Sequence, residues 1–188
     1  ALGRVTRVID PRGNDWLYTY NQLDQLVQAE SAPYGSGGGG AGGRVVVRYA
    51  YDANDNLVQV DEDNLDETAS VDPANPAWTT HYEYDALNRL TAVSEEVEET
   101  PVGTLAVTTH FDYDGNDNLV AVHSPMAVSG LDPDNLITNR YDERDLLFQT
   151  TAAPGSSEQC TDQYDYDANG NLALRRGGLE WVDVQTTE

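Results

Sequence analysis

The clearest fold signal in this chain is the segment Tyr164-Asp165-Tyr166-Asp167-Ala168-Asn169-Gly170-Asn171-Leu172-Ala173-Leu174. Tyr164 and Tyr166 alternate with acidic residues, so both rings lie on one face of a predicted strand. Turn-forming residues follow, and Leu172 and Leu174 then alternate in a predicted return strand that lays aliphatic side chains beside the tyrosine rings. The stretch therefore predicts one β-hairpin.

Five further segments repeat this pattern of an aromatic strand, a polar turn and an aliphatic return. They begin at Tyr18, Tyr49, Tyr82, Phe111 and Arg140. The last tyrosine of the strand is present in all six copies, as Tyr20, Tyr51, Tyr84, Tyr113, Tyr141 and Tyr166. Because one hairpin is repeated along the chain, the sequence predicts an all-β fold of tandem antiparallel hairpins.

The fourth residue after each fixed tyrosine is always Asp, Asn or Gly. These residues are Asp24, Asp55, Asn88, Asp117, Asp145 and Gly170. Since these residue types tolerate a left-handed backbone, we expect a positive φ at each, as in a type I turn followed by a left-handed residue in a bulge. The acid that follows most of the tyrosines can accept hydrogen bonds from backbone N–H groups just ahead.

The motif Tyr-Asp-x-x-(Gly/Asn/Asp)-x-Leu in these copies resembles the YD repeat of Rhs proteins, wall-associated proteins, Tc toxin cocoon components and teneurins. An Asp-Pro-x-Gly turn of that family also occurs as Asp10-Pro11-Arg12-Gly13, with a looser echo at Asp132-Pro133-Asp134-Asn135. Residues Gly3 to Val8 resemble the back half of a seventh copy. The resemblance covers nearly the whole chain and implies a structural, exported repeat array.

The spacing of the copies predicts a single array over residues 1–188, with no need for a globular core. It comprises a half repeat at 2–9, hairpins at about 14–29, 44–60, 78–94, 105–123, 136–150 and 161–175, and a terminal strand at 179–184. Residues 31–43, 61–76, 95–103, 124–133 and 152–157 are predicted loops, with a short helical turn as an alternative at 95–103. The turns should line up along one edge of a long sheet that curls or wraps.

The charge of the chain excludes several classes of partner. The formal net charge is −23, from 33 acids against 10 bases, so the chain repels phosphate and nucleic acid is excluded as a partner. No apolar run approaches the length of a membrane span, which excludes membrane insertion. Cys160 is the only cysteine, so no disulfide can form within the chain.

Two patterns suggest metal sites, and for both we expect a structural explanation. Asp165-x-Asp167-x-Asn169-Gly170-Asn171 matches the first half of a calcium loop, but position twelve is Arg176 and not the required Glu. His81 and His110 occupy equivalent places in consecutive copies, where two imidazoles could bind a transition metal, yet no third ligand is evident. The sequence therefore predicts Asx-bonded turns and an exposed ladder, with no metal.

Catalytic patterns are missing from the sequence. Most acids are placed by strand alternation or turn chemistry, and there is no nucleophile elbow, phosphate loop or Cys-His pair. The Asp10 turn is followed by Asn14 where the self-cleavage site of some Rhs relatives has Leu. We therefore expect neither an enzyme nor a cofactor, and a hydrolase or self-processing enzyme is the third and weakest hypothesis.

Two hypotheses for function remain. The first, which the resemblance implies, is a segment of an exported Rhs-like assembly, either a shell wall or a surface fibre, located outside the cell or at its surface. Its partners would be other copies of the chain or flanking repeats. The alternative is a surface adhesin that binds glycans through its 11 tyrosines and 3 tryptophans. For the fixed tyrosines we expect packing on the neighbouring hairpin.

Overall fold

The computed structural model describes residues 3–34, 43–65, 70–73, 75–100 and 103–179. These ranges contain thirteen strands and one short helix. They are β1 Arg7–Ile9, β2 Asp15–Tyr20, β3 Leu26–Glu30, β4 Val46–Tyr51, β5 Leu57–Asp63, β6 Ala77–Tyr84, β7 Leu90–Thr100, β8 Gly103–Tyr113, β9 Leu119–His123, α1 Pro125–Val128, β10 Leu136–Tyr141, β11 Leu147–Ala152, β12 Cys160–Tyr166 and β13 Leu172–Leu179. The predicted all-β fold of tandem antiparallel hairpins is confirmed.

The first compact unit is Ala1–Val107. It contains β1 to β7, which lie side by side in sequence order with every neighbouring pair antiparallel. The hairpins predicted at 14–29, 44–60 and 78–94 correspond to β2–β3, β4–β5 and β6–β7. The strand ends joined by the connections from β3 to β4 and from β5 to β6 lie at the edge opposite these hairpin turns.

The second compact unit is Thr108–Glu188, and β8 is divided between the two units. From β8 to β13 the strands again follow sequence order and are antiparallel. The hairpins predicted at 105–123, 136–150 and 161–175 correspond to β8–β9, β10–β11 and β12–β13. That all these hairpins form a single array over 1–188 stays a prediction.

The six hairpins that contain a fixed tyrosine have the same register and the same irregularity. The fixed tyrosine lies opposite the leucine six residues later, as in Tyr51↔Leu57, and the next pair is Ala50↔Gln59, so Val58 is an extra residue in the return strand. The same one-residue bulge follows Leu26, Leu90, Leu119, Leu147 and Leu172. Each hairpin therefore bends at a fixed distance from its turn.

The bulge corrects one sequence-based expectation. Leu172 lies opposite Tyr166 as predicted, but Leu174 lies opposite Asp165 and not opposite Tyr164, because Ala173 is the extra residue. Arg175 takes the place opposite Tyr164, and its guanidinium carbon lies 6.0 Å from the centroid of that ring. The aliphatic residues of this return strand therefore do not both lie beside tyrosine rings.

Two predicted loops contain regular structure. Residues 95–103 were predicted as an acidic loop, but β7 continues to Thr100. The partner strand β6 pairs with it as far as Thr80↔Glu95, and Thr79 N then donates to the Glu96 side chain, at Oε2, at 2.9 Å. Within 124–133, the single helical turn α1 begins after Ser124, whose hydroxyl accepts from Ala127 N. Of the predicted terminal strand 179–184, only Leu179 is described, at the end of β13; the rest lies outside the described residues.

Very little of the described chain is buried. The buried apolar residues are Ala92 and Ala121, and the buried polar residues are Asp15, Gln149, Thr151 and Thr161. Element contacts join strands that are neighbours in sequence, and α1 contacts β9. Each unit is thus a single sheet whose stability comes from contacts between adjacent hairpins, as the repeat pattern predicts.

We expect Thr161→Val to lower the free energy of unfolding by about 1 kcal/mol, because Thr161 is fully buried and its Oγ1 lies 3.3 Å from Thr151 Oγ1. In the variant the Thr151 hydroxyl keeps one partner, Gln149 Nε2 at 3.4 Å. Because either single change removes the bond between the two threonines, Thr151→Val combined with Thr161→Val should cost less than the sum of the two single changes. Urea unfolding measures both. A double variant that loses as much as the sum of the two single variants would contradict this account.

Candidate functional site

The six hairpin turns share one hydrogen-bond pattern. In the second turn Asp52 N donates to Asn56 O at 2.9 Å and Asp55 N donates to Asp52 O at 3.3 Å, the pattern of a three-residue hairpin loop. The Asp52 Oδ1 accepts from the backbone N–H groups of Asn54 and Asn56 at 2.8 and 2.9 Å. The same four contacts recur in the turns that open at Asn21, Asp85, Asp114, Asp142 and Asp167.

The fourth turn position has the positive φ that the sequence predicts; we call it the left-handed residue. The φ values are 66° at Asp24, 67° at Asp55, 61° at Asn88, 68° at Asp117, 59° at Asp145 and 82° at Gly170. The residue directly after it is the exit residue of the turn. All length variation between hairpins therefore falls outside a turn of constant geometry.

A seventh turn of this form lies between β1 and β2, where the sequence predicts an Asp-Pro-x-Gly turn but not that its geometry equals that of the other six. Asp10 N donates to Asn14 O at 2.9 Å, and Asp10 Oδ1 accepts from Arg12 N and Asn14 N at 2.8 and 2.9 Å. Gly13 is the left-handed residue, with φ 88°. The signal was present, because Asp10-Pro11-Arg12-Gly13 has an acid and a left-handed residue at the same spacing as Asp167 and Gly170.

The turn carboxylates are held in their ionised form. The pKa of Asp52 is lowered by the hydrogen bond from the Asn56 side chain and, against the opposing effect of desolvation, by the backbone N–H groups of Asn56 and Asn54. The pKa values of Asp10, Asp85, Asp142 and Asp167 are lowered by comparable hydrogen bonds. These charges are therefore part of the turn structure, and no acid–base role is needed to explain them.

Adjacent turns contact each other within each unit. In the first unit Gln25 Nε2 donates to Asp55 Oδ1 at 2.8 Å, and Asn56 Nδ2 donates to Asn88 Oδ1 at 2.8 Å. In the second unit Asn118 Nδ2 donates to Asp145 Oδ1 at 3.0 Å. In each case the exit residue of one turn reaches the left-handed residue of the next, so within each unit the turns line up as predicted.

The fixed tyrosines connect successive hairpins through their hydroxyl groups. Tyr51 Oη donates to Leu26 O at 2.9 Å and Tyr84 Oη donates to Leu57 O at 3.0 Å. The acceptor is in each case the leucine carbonyl at the bulge of the preceding hairpin. Tyr141 and Tyr166 reach Leu119 O and Leu147 O in the same way, at 3.0 and 2.7 Å.

This contact refines the expected tyrosine ladder. The backbone ladder between β3 and β4 covers Gln28↔Arg48 to Glu30↔Val46, so the Leu26 carbonyl lies outside it and takes a side-chain donor instead. The neighbour that each tyrosine contacts through this bond is the preceding hairpin. Burial of the phenol raises the pKa of Tyr84, and the charges of Tyr82 and Asp52 act in the same direction.

The first residues occupy the same positions as the back half of a hairpin. Gly3 has a positive φ of 36°, Arg4 follows as an exit residue, and Val5 O accepts from Tyr20 Oη at 3.1 Å. Arg4 forms an ion pair with Asp24, the left-handed residue of the next turn. Gly3, Arg4 and Val5 therefore stand where Asp55, Asn56 and Leu57 stand in the second copy, as the half-repeat interpretation requires.

The residues of the considered metal sites have structural partners. Asp167 Oδ1 accepts from Asn169 N and Asn171 N, and its Oδ2 accepts from Asn171 Nδ2 at 2.9 Å. Across the described ranges no group of three or more His, Cys, Asp or Glu residues is arranged to hold a metal ion.

The histidines are placed in a different way from the expected close pair. His110 lies opposite His123, whose Nε2 is 2.8 Å from Asp112 Oδ2. His81, in the first unit, lies opposite Gln59 and Ser94 on its two sides. The histidine that the structure brings next to His110 is therefore His123, the last residue of β9.

One open cleft in the first unit has an aromatic lining. It has a volume of about 390 Å³ and is lined by Trp16 and Tyr18 of β2, by Val45 and Val47, and by the acids Glu30 and Glu62 among others. Rings beside carboxylates form a surface on which a sugar ring could stack and donate hydroxyl hydrogens.

The repeated hairpin, the fixed turn and the tyrosine bond define the class of this protein, a β-hairpin repeat protein. Residues 1–36 match the family model described as RHS Repeat. This segment is therefore similar to an Rhs repeat, and the predicted resemblance to the YD-repeat, or Rhs-repeat, family is confirmed. In the described residues, no helix has the length and apolar character needed to cross a membrane.

Two solved structures illustrate what the chain is similar to at low sequence identity. A crystal structure of TcdB2-TccC3 is 13% identical over 94% of this chain, with a TM-score of 0.26. The structure of the Photorhabdus luminescens Tc holotoxin pore is 14% identical over 93% of this chain, with a TM-score of 0.20. This chain spans 13% of the length of each of those chains. A comparison with curated proteins yields no match.

We expect Tyr84→Phe to lower the free energy of unfolding by about 1 kcal/mol, because the ring stays while the Leu57 carbonyl loses its donor. Tyr82→Phe is the matched control, since Tyr82 lies in the same strand and its hydroxyl makes no hydrogen bond among the described residues. Urea unfolding of both variants measures the difference. Equal effects of the two changes would show that the hydroxyl does not connect the hairpins.

We expect Asp52→Asn to change how stability depends on pH. Asn21 makes the same backbone contacts in the first turn, so the turn should be retained. Because the folded-state pKa of Asp52 is lowered, its ionisation stabilises the fold above the unfolded-state pKa, and this contribution disappears as the pH falls through the folded-state pKa.

The stability difference between the parent and Asp52→Asn should therefore be greatest near neutral pH and shrink between about pH 5 and pH 2. Thermal unfolding of both proteins across this range measures it. The other titrating groups are shared by the two proteins, so their contributions largely cancel. A difference that does not change with pH would contradict the role of the Asp52 charge.

Proposed function

We propose that this chain is a structural segment of an exported Rhs-type assembly, built by lateral stacking of β-hairpins. Its role is mechanical, to wall off a space or span a distance through β-sheet, and it has no catalytic function. Its partners are repeats like its own, from the same polypeptide or from other copies. The proposal includes a location outside the cell or at its surface.

One observation carries the proposal: the recurring polar groups are used inside the repeats, either to form the turns or to join adjacent hairpins. The fixed tyrosine hydroxyl binds the preceding hairpin, as in Tyr84 to Leu57, and the turn carboxylate binds its own backbone, as in Asp52 to Asn54. The left-handed residue accepts from the preceding turn, as Asp55 does from Gln25. A site selected for chemistry would leave such groups available to a substrate, whereas a structural repeat uses them internally.

The charge of the chain supports the same role. A net charge of −23 keeps open sheets with exposed apolar side chains in solution, since like-charged surfaces repel. Exposed apolar residues in the strands include Val8, Ile9, Leu105 and Ile137. Neighbouring subunits of an assembly could cover these residues without any change of the turn edge.

Immunoelectron microscopy of the native particle, isolated from producing cells, tests the proposal. We expect the chain in a hollow body or a fibre at the cell exterior. A chain with Tyr84→Ala should be incorporated poorly, whereas Tyr82→Phe should be incorporated as well as the parent. A cytoplasmic chain that enters no larger particle would overturn the proposal.

An adhesin that binds glycans is the second candidate, and the aromatic cleft favours it. Trp16 and Tyr18 offer ring faces, and Glu30 and Glu62 offer acceptors for sugar hydroxyls. Saturable binding on a glycan array that is lost in Trp16→Ala would support this function. Trp78→Ala is the matched control, because Trp78 lies in β6 and does not line the cleft.

A further inference from the structure

The contacts between adjacent turns follow a chemical pairing. Four exit residues carry donors, and the left-handed residue that each one contacts carries an acceptor. The pairs are Arg4 with Asp24, Gln25 with Asp55, Asn56 with Asn88, and Asn118 with Asp145. Arg, Gln and Asn differ in length and charge, so what the exit residues share is the N–H donor that they present to the next turn.

A fifth pair lacks both the donor and the acceptor. The exit residue of the fifth turn is Leu146, and the left-handed residue of the sixth turn is Gly170. A Cβ placed on Gly170 would lie 3.7 Å from Leu146 Cδ1, so side chains at these two positions would be in van der Waals contact. At this pair the exit residue is an apolar leucine without a side-chain donor, and the left-handed residue is a glycine without a side-chain acceptor.

We propose that the exit residue and the left-handed residue of the following turn act as a specificity pair that determines which hairpin can stack beside which. This inference rests on the proposed structural function. A donor exit residue selects a following hairpin with Asp or Asn at its left-handed position, and an apolar exit residue selects one with Gly. The positive φ explains why the left-handed position holds Asp, Asn or Gly. The exit residue of the preceding turn explains which of these three residue types is present.

The physical basis is the matching of polar groups in a partly solvated contact. Asn facing Gly leaves an amide hydrogen without its protein acceptor, and Asp or Asn facing Leu146 places a polar group against a methyl group. Because the turn edge is solvated, water offsets part of each mismatch, and a coupling of about threefold in the unfolding equilibrium is expected.

The rule also describes the hairpin that fits against the sixth turn. Asn56 and Asn118 each donate to the entry Asp of their own turn and to the next turn. Asn171 makes the first of these contacts, to Asp167 Oδ2 at 2.9 Å, and has no second acceptor among the described residues. A hairpin whose left-handed residue is Asp or Asn is therefore the matching neighbour at this turn.

A double-mutant cycle tests the pair in the full chain. The variants are Leu146→Asn, Gly170→Asn and the two together, and the pair of Asn56 with Asn88 is the natural precedent for the double variant. We expect each single change to lower the urea midpoint. The unfolding equilibrium constant of the double variant should be about threefold smaller than the value expected if the two single effects added. Additive effects would overturn the pairing.

A control cycle separates pairing from general turn effects. Asn56→Leu combined with Gly170→Asn changes the same two positions of turns that are not adjacent, and its effects should add. If this control couples as strongly as the adjacent pair, the pairing rule is wrong. Incorporation of the parent chain into an external particle is measured independently, so failure of the pairing rule is distinguishable from failure of the proposed structural function.

Discussion

The hydrogen bond from a tyrosine hydroxyl to the carbonyl of the preceding hairpin is the contact on which the array depends. Each unit is a single sheet. The buried apolar residues of the described chain are two alanines, so no hydrophobic core of the described residues holds the hairpins together. At Leu26 and Leu57 the backbone ladder to the next hairpin has ended, and the tyrosine supplies the missing donor. One side-chain group thus extends the sheet to the turn edge.

The bulge and the turn together fix the positions of the groups that join adjacent hairpins. The bulge residue after each leucine fixes where the return strand bends, and the turn carboxylate fixes the loop two to four residues ahead of itself. As a result the leucine carbonyl, the left-handed residue and the exit residue have the same relative positions in every copy. Contacts from tyrosine to carbonyl and from turn to turn can then recur without any change of geometry.

Much of this structure could be predicted from the sequence because the hairpin pattern occurs six times. A residue whose structural role is ambiguous in one copy is resolved by comparison with the others. The alternation before each tyrosine located the strands, and the Asp, Asn or Gly four residues later gave the positive φ at Asp24 through Gly170. The bulge could not be predicted, since Val58 and Ala173 differ from ordinary strand residues only in register. The end of β7 was missed because acids such as Glu96 indicate a loop, whereas the strand continues to Thr100 and the Glu96 carboxylate accepts from Thr79 N of β6.

The two edges of each unit differ in what they can accommodate. At the turn edge, one inserted residue would move the tyrosine, the bulge and the exit residue out of alignment together. At the opposite edge, the connection from β3 to β4 is closed at its base by Ser31 and Arg44, through Ser31 N to Val45 O at 2.9 Å and Arg44 Nη1 to Ser31 O at 2.7 Å. A foreign loop grafted beyond that closure would be displayed without disturbing the hairpins that carry it, which makes this edge a natural place for the sequence to diversify.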